Sequence, residues 1–516
     1  MSKDIRLHVP LNRVEGDLDI KVDLRDGRVA DAWSSGTMYR GFENILVGRA
    51  PLDGLVISPR ICGICTTAHL TVAARALDKI AGTTVPDNAR RLRNVTLMAE
   101  HIQSDIRHAF LLFAPDFANP AHASQALHAE AVRRYEPFKG RAAIETIKET
   151  KRVIEIIGIL GGQWPHSSFM VPGGVVGVPA TSDLLQCRQI LALYRQWYEQ
   201  RVLGCRIERW QAVHNLETLE AWLDECDSHR ASELGFFLRF GRAVGLDTVG
   251  RGHGNYVCFG SLELPEETSV RPGGGPAAGN LLQPAGFARG TVVESFDQAK
   301  ISEHVAHSWF RDYGGGRHPS AGETNPYATG SESHRYSWAK APRYDGAPAE
   351  TGPLAEMIIA GHPLISDWVG RLGPSALVRE LARLIRPTTL MPAMDTWIAE
   401  MLSSDGEYYR RHEEIEHGEG CGLGEAARGA LGHWVTIRDG KIDHYQIITP
   451  TAWNGSPRDS NGIRGPWEEA LIGTPVRDPE NPVELGHVVR SFDPCLVCTV
   501  HTVSCRRDAA QLLARI

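Results

Sequence analysis

The sequence predicts a mainly α-helical (α+β) fold, a large helical bundle carrying peripheral β-hairpins or small sheets. Three observations predict it. Long stretches place apolar residues three and four apart, two short segments alternate with period 2 around an Asp-Gly dipeptide, and no solenoid-length repeat interrupts either pattern. The helical stretches are Asp87 to Phe113, Ala142 to Leu160 and Ser182 to Leu203, each with few Gly or Pro interruptions. Long helices of this kind pack as a bundle. At the start, DLDIKVDL and RVADAWSS flank Asp26-Gly27, and near the end HWVTIR and KIDHYQII flank Asp439-Gly440, so both read as hairpins. Arg271 to Gly290, RPGGGPAAGNLLQPAGFARG, is too rich in Gly and Pro for helix or a central strand and reads as a loop or excursion.

Bulk properties exclude several functions. At 516 residues and 42% hydrophobic, the chain can bury a large core. A formal charge of -7 without a basic run argues against a nucleic-acid partner. The best apolar run, Val153 to Leu160, is short and broken by Glu155, so no membrane helix is expected. The opening MSKDIRLHVPLNRVEG lacks the plan of a signal peptide, which leaves export open only together with a partner that carries one.

Ten cysteines in so long a chain do not make a disulfide scaffold. Four stand out as CxxC pairs at opposite ends: Cys62/Cys65 in R-I-C-G-I-C-T-T-A-H, and Cys495/Cys498 in D-P-C-L-V-C-T-V-H. Four thiolates suit zinc, nickel or an iron–sulfur cluster, and ligand type alone does not choose. A zinc staple usually pairs over short spacings. Here several hundred residues intervene, and clamping both ends of a chain makes more sense for a reaction centre. Two pairs that share one metal also favour a single interlocked domain over residues 1–501.

These motifs resemble the paired signatures of the NiFe-hydrogenase large subunit. Arg13-Val14-Glu15-Gly16, Met38 to Glu43, Lys340 to Tyr344, Arg428 to Trp434 and Pro450 to Asn454 resemble further blocks of that family in the same order. The resemblance spans nearly the whole chain and implies that family's fold. It implies a nickel held by Cys62, Cys65, Cys495 and Cys498, with Cys62 and Cys495 terminal and Cys65 and Cys498 bridging to an iron that carries carbon monoxide and cyanide. Arg428 would overhang the metals and hydrogen-bond a cyanide, Thr451 would offer a hydroxyl nearby, and Asp493 would pair with the arginine. Hydrogen would be cleaved heterolytically, with Cys495 taking the proton and relaying it to Glu15. Glu43 and His501, with a backbone carbonyl near Ile447, would hold magnesium or a water cluster. His69 would donate a hydrogen bond to a cysteine sulfur.

Partners follow from the same resemblance. The chain has no dinucleotide fingerprint and no spare cysteine sets for clusters, so electrons must leave through a small iron–sulfur subunit, in a heterodimer that can pair again. A maturation endopeptidase and nickel-insertion factors are implied, because relatives lose a C-terminal peptide after the histidine; here that peptide is 502–516. An amphipathic C-terminal helix is the plainer reading of the same tail.

Asp17, Ser104 and Ala427 depart from the residues many relatives carry. The A-A-R-G form and Gln103 to His108, Q-S-D-I-R-H, look most like the uptake and hydrogen-sensing branch that faces the cytoplasm, either free there or associated with the membrane on that side. Of two gas-channel positions, Ile64 is sensor-like and Leu112 is not, and the retained tail favours turnover. Uptake oxidation is therefore the expected activity. Hydrogen sensing is the alternative, and a structural zinc or iron–sulfur tetrathiolate protein the alternative of another class.

Overall fold

The computed structural model describes residues 5–271, 280–329 and 334–499. The first sheet comprises β1 (Ile5–Leu11), β2 (Leu18–Arg25) and β3 (Arg28–Gly36). The expected hairpin is β2–β3, and its turn puts Asp26 and Gly27 both at positive φ. The strand ahead of it, β1, lies antiparallel to β2 and was not expected. After the short α1 (Phe42–Leu46) come α2 (Thr66–Ile80) and α3 (Asp87–Arg107). Further along lie α4 (Arg141–Gly161) and α5 (Thr181–Trp197).

The three predicted helical stretches are thus α3, α4 and α5. Together with a later helix, Pro387–Leu402, they close a ring in which each touches two neighbours, a four-helix bundle. Two of them end in wide, π-helical turns, His108–Phe113 after α3 and Tyr198–Leu203 after α5. Such turns re-aim side chains and recur at functional sites. Here the first one begins at His108, a residue of the site.

The Gly- and Pro-rich segment needs a correction. Residues 272–279 lie outside the described residues, but Leu281–Gln283 is a strand, and β4 (Gly286–Arg289) is the middle strand of a three-stranded sheet. Gly286 serves close packing there and not a turn: a Cβ would come 2.7 Å from Ile359 Cγ2.

The last sheet is β5 (Gly418–Ala426), β6 (Gly429–Arg438) and β7 (Lys441–Ile448), of which the pair β6–β7 is the second expected hairpin. The strand β5 reads GEGCGLGEA, a composition that opposes strand formation. It forms because it lies flat on α2, where a Cβ at Gly422 would sit 1.8 Å from the Val72 carbonyl oxygen. Behind it follow α6 (Pro450–Asn454) and α7 (Val483–Arg490).

One large buried cluster contains all four motif cysteines. A second joins Ile20 and Val22 of the first sheet to Val488, Val489, Phe492 and Leu496. The beginning and the end of the chain therefore share a core. Among the described residues no helix is long and apolar enough to cross a membrane.

Candidate metal centre

The first cysteine loop leaves a short helical turn at Ile61 and ends where α2 begins, with Cys65 at its N-cap. The second follows α7, where Asp493 takes a positive φ and Pro494 forbids a ladder hydrogen bond. Both loops meet in the core. Cys62 Sγ lies 3.6 Å from Cys495 Sγ, Cys65 Sγ lies 3.1 Å from Cys498 Sγ, and the sulfurs of Cys495 and Cys498 are 3.1 Å apart. All four ligand atoms fall within 4.8 Å of one another, and all four residues are buried. Separations of this size are what a metal about 2.3 Å from each thiolate leaves between its ligands.

The electrostatics fit a cation. Hydrogen bonds from Cys495, Cys498 and Cys65 pull the Cys62 thiol well below its ordinary pKa. Cys65 is pushed up, first by its contact with Cys495, and Cys498 is pushed up by burial. Four buried sulfurs cannot all be thiolates without a positive charge among them, and a soft dication supplies it.

Arg428 sits on the tight turn between β5 and β6. Its Nε donates to the Asp493 carbonyl oxygen at 3.1 Å, and its Nη2 lies 3.0 Å from Asp493 Oδ1. Its Nη1 is buried without a partner among the described residues, a donor free for an anion. Burial opposes its charge, but Asp493, Cys495, Cys62 and Cys65 outweigh burial and raise its pKa. The expected Arg428–Asp493 pair is present. The turn itself is held by Arg386 Nη2, which donates to the Ala427 carbonyl at 2.7 Å.

Asp493 is the hub of a larger buried array. His108 Nδ1 lies 2.9 Å from its Oδ1 and Arg383 Nε 3.9 Å from its Oδ2, while His108 Nε2 lies 2.9 Å from Glu380 Oε1. Against the cost of burial, Arg428 and His108 hold the Asp493 carboxyl well below the usual range. Against the same cost, Asp493 and Glu380 raise His108.

Thr451 has a role besides the expected one. Its Oγ1 accepts the backbone N–H of Cys495 at 3.0 Å, so the hydroxyl positions a cysteine and keeps its own proton to donate. Glu15 runs beside Cys495 in a parallel bridge: its N–H donates to the Pro494 carbonyl at 3.2 Å, and its carbonyl accepts from Leu496 N at 2.6 Å. Its half-buried carboxyl is raised by burial and by Cys62, against Arg428 and Arg40. Gly16 permits the approach, since a Cβ there would lie 2.9 Å from Val497 N.

His69 stands one helical turn after Cys65. Burial lowers its pKa to about 4, so its imidazole is neutral, and its Nδ1 lies 3.1 Å from His433 Nε2. Glu43 has partners of its own among the described residues. Its Oε1 accepts the Ile447 N–H at 2.9 Å, its Oε2 accepts the Thr324 hydroxyl, and Lys340 Nζ stands 3.6 Å away. In the described residues this acid is already counter-charged by an ammonium. The expected site there depends on His501, which, with the tail after it, lies outside the described residues.

Sequence reasoning missed Arg40, His108, Glu380 and Arg383. Arg40 Nη2 donates to the carbonyls of both Ile61 and Val497, tying the two cysteine loops together. Arg40 and His108 lay inside quoted motifs, so a signal existed. Glu380 and Arg383 carried none, because a Glu/Arg pair three apart on an amphipathic helix normally faces water, whereas both are buried here.

A buried four-thiolate centre, with a buried arginine and a half-buried carboxyl group beside it, defines a metal-binding subunit. The nickel-dependent hydrogenase family model matches residues 40–140 and 239–501. The periplasmic [NiFeSe] hydrogenase large subunit of Desulfomicrobium baculatum is 34% identical, over 96% of this chain and 94% of its own. The uptake hydrogenase large subunit of Rhodobacter capsulatus is 29% identical, over 96% and 94%. The structure of H2-activated Dm. baculatum [NiFeSe]-hydrogenase superposes with a TM-score of 0.80 at 32% identity, covering 97% of this chain and all of that one. The chain belongs to the nickel-dependent hydrogenase family, as a large subunit.

Proposed function

We propose that this chain is the catalytic subunit of an uptake hydrogenase, which oxidises H2 to two protons and two electrons. The observation that carries this reading is the meeting of Glu15, Arg428 and four cysteines in one buried place. A plain metal staple needs neither an acid at its edge nor a buried arginine with a free donor nitrogen.

When bound, a nickel held by Cys62, Cys65, Cys495 and Cys498, with an iron carrying carbon monoxide and cyanide, supplies the polarisation of H2 and accepts its electrons. The residues do the rest. The Cys495 sulfur takes a proton, and Glu15, its carboxyl pKa raised first by burial, receives that proton and passes it outward. Arg428 Nη1, buried without a partner among the described residues, would donate to a cyanide, and the Asp493 pair fixes the guanidinium. Burial keeps water from the sulfurs.

Electrons pass to a small iron–sulfur subunit. Support for its docking comes from apolar side chains left in water beside the first cysteine loop: Ile45, Val47, Leu52 and Val56, with Val176 and Val178 across a cleft from Leu52. Residues 1–501 form the working domain, and 502–516 are cut away after nickel insertion. We place the enzyme on the cytoplasmic side of the membrane or free in the cytoplasm, a reading that fractionation tests directly.

The test is metal content, intact mass and H2-dependent dye reduction on protein purified with its partner from its own host. One nickel and one iron per chain, a mass ending at His501 and dye reduction are expected. Zinc alone, with Ile516 retained, overturns the reading.

A further inference from the structure

Two cysteines outside the metal centre come together where the wide turn after α5 ends. Cys205 follows that turn, and Cys226 links the helix Leu216–Glu225 to the short helix Asp227–Ala231. The two backbones touch: a Cβ at Gly204 would overlap the Ser228 carbonyl oxygen. One hydroxyl spans them. Ser228 Oγ donates to the Gly204 carbonyl at 3.1 Å and lies 3.2 Å from Cys226 Sγ, so a single side-chain oxygen separates the Cys226 sulfur from the peptide that carries Cys205. Trp222 Nε1, one helical turn before Cys226, donates to Cys205 Sγ at 3.4 Å, and the His229 ring stacks on that indole at 4.7 Å.

The two thiols differ in their surroundings. Cys226 is exposed, whereas Cys205 is half-buried. Burial raises the Cys205 thiol, against the Trp222 hydrogen bond and the Arg209 guanidinium, and the Cys226 sulfur is itself within electrostatic reach. Arg209 feels both sulfurs, and its Nε donates to Glu225 Oε2 at 3.0 Å, next to Cys226 in the chain. An exposed sulfur beside a cation is where thiol reactivity belongs. Of the other cysteines outside the centre, Cys187 and Cys258 are buried, and Cys421 lies 3.8 Å from Lys79 Nζ.

We propose that Cys205 and Cys226 are a site of reversible disulfide formation, in which Cys226 meets a hydroperoxide and Cys205 resolves it. The Cys226 thiolate attacks one peroxide oxygen. The O–O bond breaks, and the second oxygen leaves as water or an alcohol with the proton the thiol gave up. Cys226 is thereby oxidised to a sulfenic acid and the peroxide is reduced. The Cys205 sulfur then attacks the Cys226 sulfur, the S–O bond breaks, and its oxygen leaves as water with the Cys205 proton. Cys226 must turn off Ser228 to make the bond, a movement open to an exposed side chain. The link joins the end of α5, a helix of the bundle, to the helices beside it. It involves no ligand of the metal centre and stands independently of the proposed function.

The experiment treats holoenzyme purified from its own host with hydrogen peroxide, alkylates the remaining thiols, and maps tryptic peptides by mass without reduction. Cys205 falls in the peptide 202–206 and Cys226 in the peptide 210–230. Wild type is expected to yield these two peptides joined, lighter than their sum by two hydrogen atoms, and dithiothreitol should part them. In Cys205→Ser, Cys226 should stop at the sulfenic acid and be captured by dimedone. In Cys226→Ser, Cys205 should remain open to alkylation after the same treatment. Alkylated Cys205 and Cys226 in peroxide-treated wild type, Cys226 driven to sulfinic acid without a link, or Cys226 joined to any sulfur other than Cys205, overturn the proposal. The wild-type map decides the matter by itself if a serine variant does not fold.

Discussion

Glu15 and Cys495 run side by side as a parallel bridge, joined by backbone hydrogen bonds on either side of the cysteine. A carboxyl group from the start of the chain is thereby fixed next to a ligand from its end. The strands that follow Glu15 share a core with Val488, Val489 and Phe492, so packing as well as hydrogen bonding holds the pair.

Glu15→Gln keeps the size of the side chain and removes the exchangeable acid. H2 oxidation should fall by about two orders of magnitude or more, the usual worth of a placed acid–base group. Nickel and iron content should stay at wild-type levels, and Glu15→Asp should recover part of the rate. Retained activity in Glu15→Gln would remove this residue from the proton path.

Asp493→Asn leaves Arg428 and His108 without their shared counter-charge inside the protein. Removing one partner of a buried ion pair costs about 3–5 kcal/mol. Denaturant unfolding should report a loss of that order, larger than for Arg428→Lys, which keeps the charge but gives up the planar fork.

Thr451→Val removes the hydroxyl that accepts the Cys495 N–H. A buried donor left unpaired costs about 1–3 kcal/mol. Thr451→Ser should restore what valine loses, measured as melting temperature and as nickel retained through dialysis.

Gly422→Ala forces a methyl group into the Val72 carbonyl oxygen. Overpacking of this kind costs about 1–3 kcal/mol. Because the obstacle is backbone, α2 and β5 must separate, and the variant should melt lower and lose metal earlier than wild type.

Glu468 is fully buried, and burial raises its carboxyl to about 7, against hydrogen bonds from Ser34 N and Tyr336. A folded pKa above the unfolded value means that folding takes up a proton. The stabilising contribution is whole below the unfolded pKa of 4.5 and is lost as pH rises through about 7. Melting temperature should therefore fall as pH rises from about 4.5 to about 7, and Glu468→Gln should flatten that slope. An equal slope in both proteins would show that another group governs it.

The hairpins at Asp26-Gly27 and Asp439-Gly440 and the helices of the bundle were legible, because period and turn chemistry are local. The cysteine pairs were legible because spacing and residue type are chemistry in themselves. What hid was set by tertiary contact. The strand Gly418–Ala426 looks like anything but a strand until α2 lies on it, and Gly286 looks like a turn until Ile359 explains it. Glu380 and Arg383 read as a solvated pair, and only the fold turns them inward toward Asp493 and His108. The buried row of His69, His433 and Tyr445 was equally out of reach, since three separate elements supply its members.

The distance along the chain between Cys62 and Cys495, 433 residues, also sets a timetable. At roughly 5–20 residues per second, the ribosome releases the second pair of sulfurs roughly 20–90 s after the first. Throughout that interval the nascent chain presents two thiols and an unmatched N-terminal sheet, with nothing to close over them. Closure of the four-sulfur centre is thus a late event of biogenesis, possible only once the two ends of the chain have met.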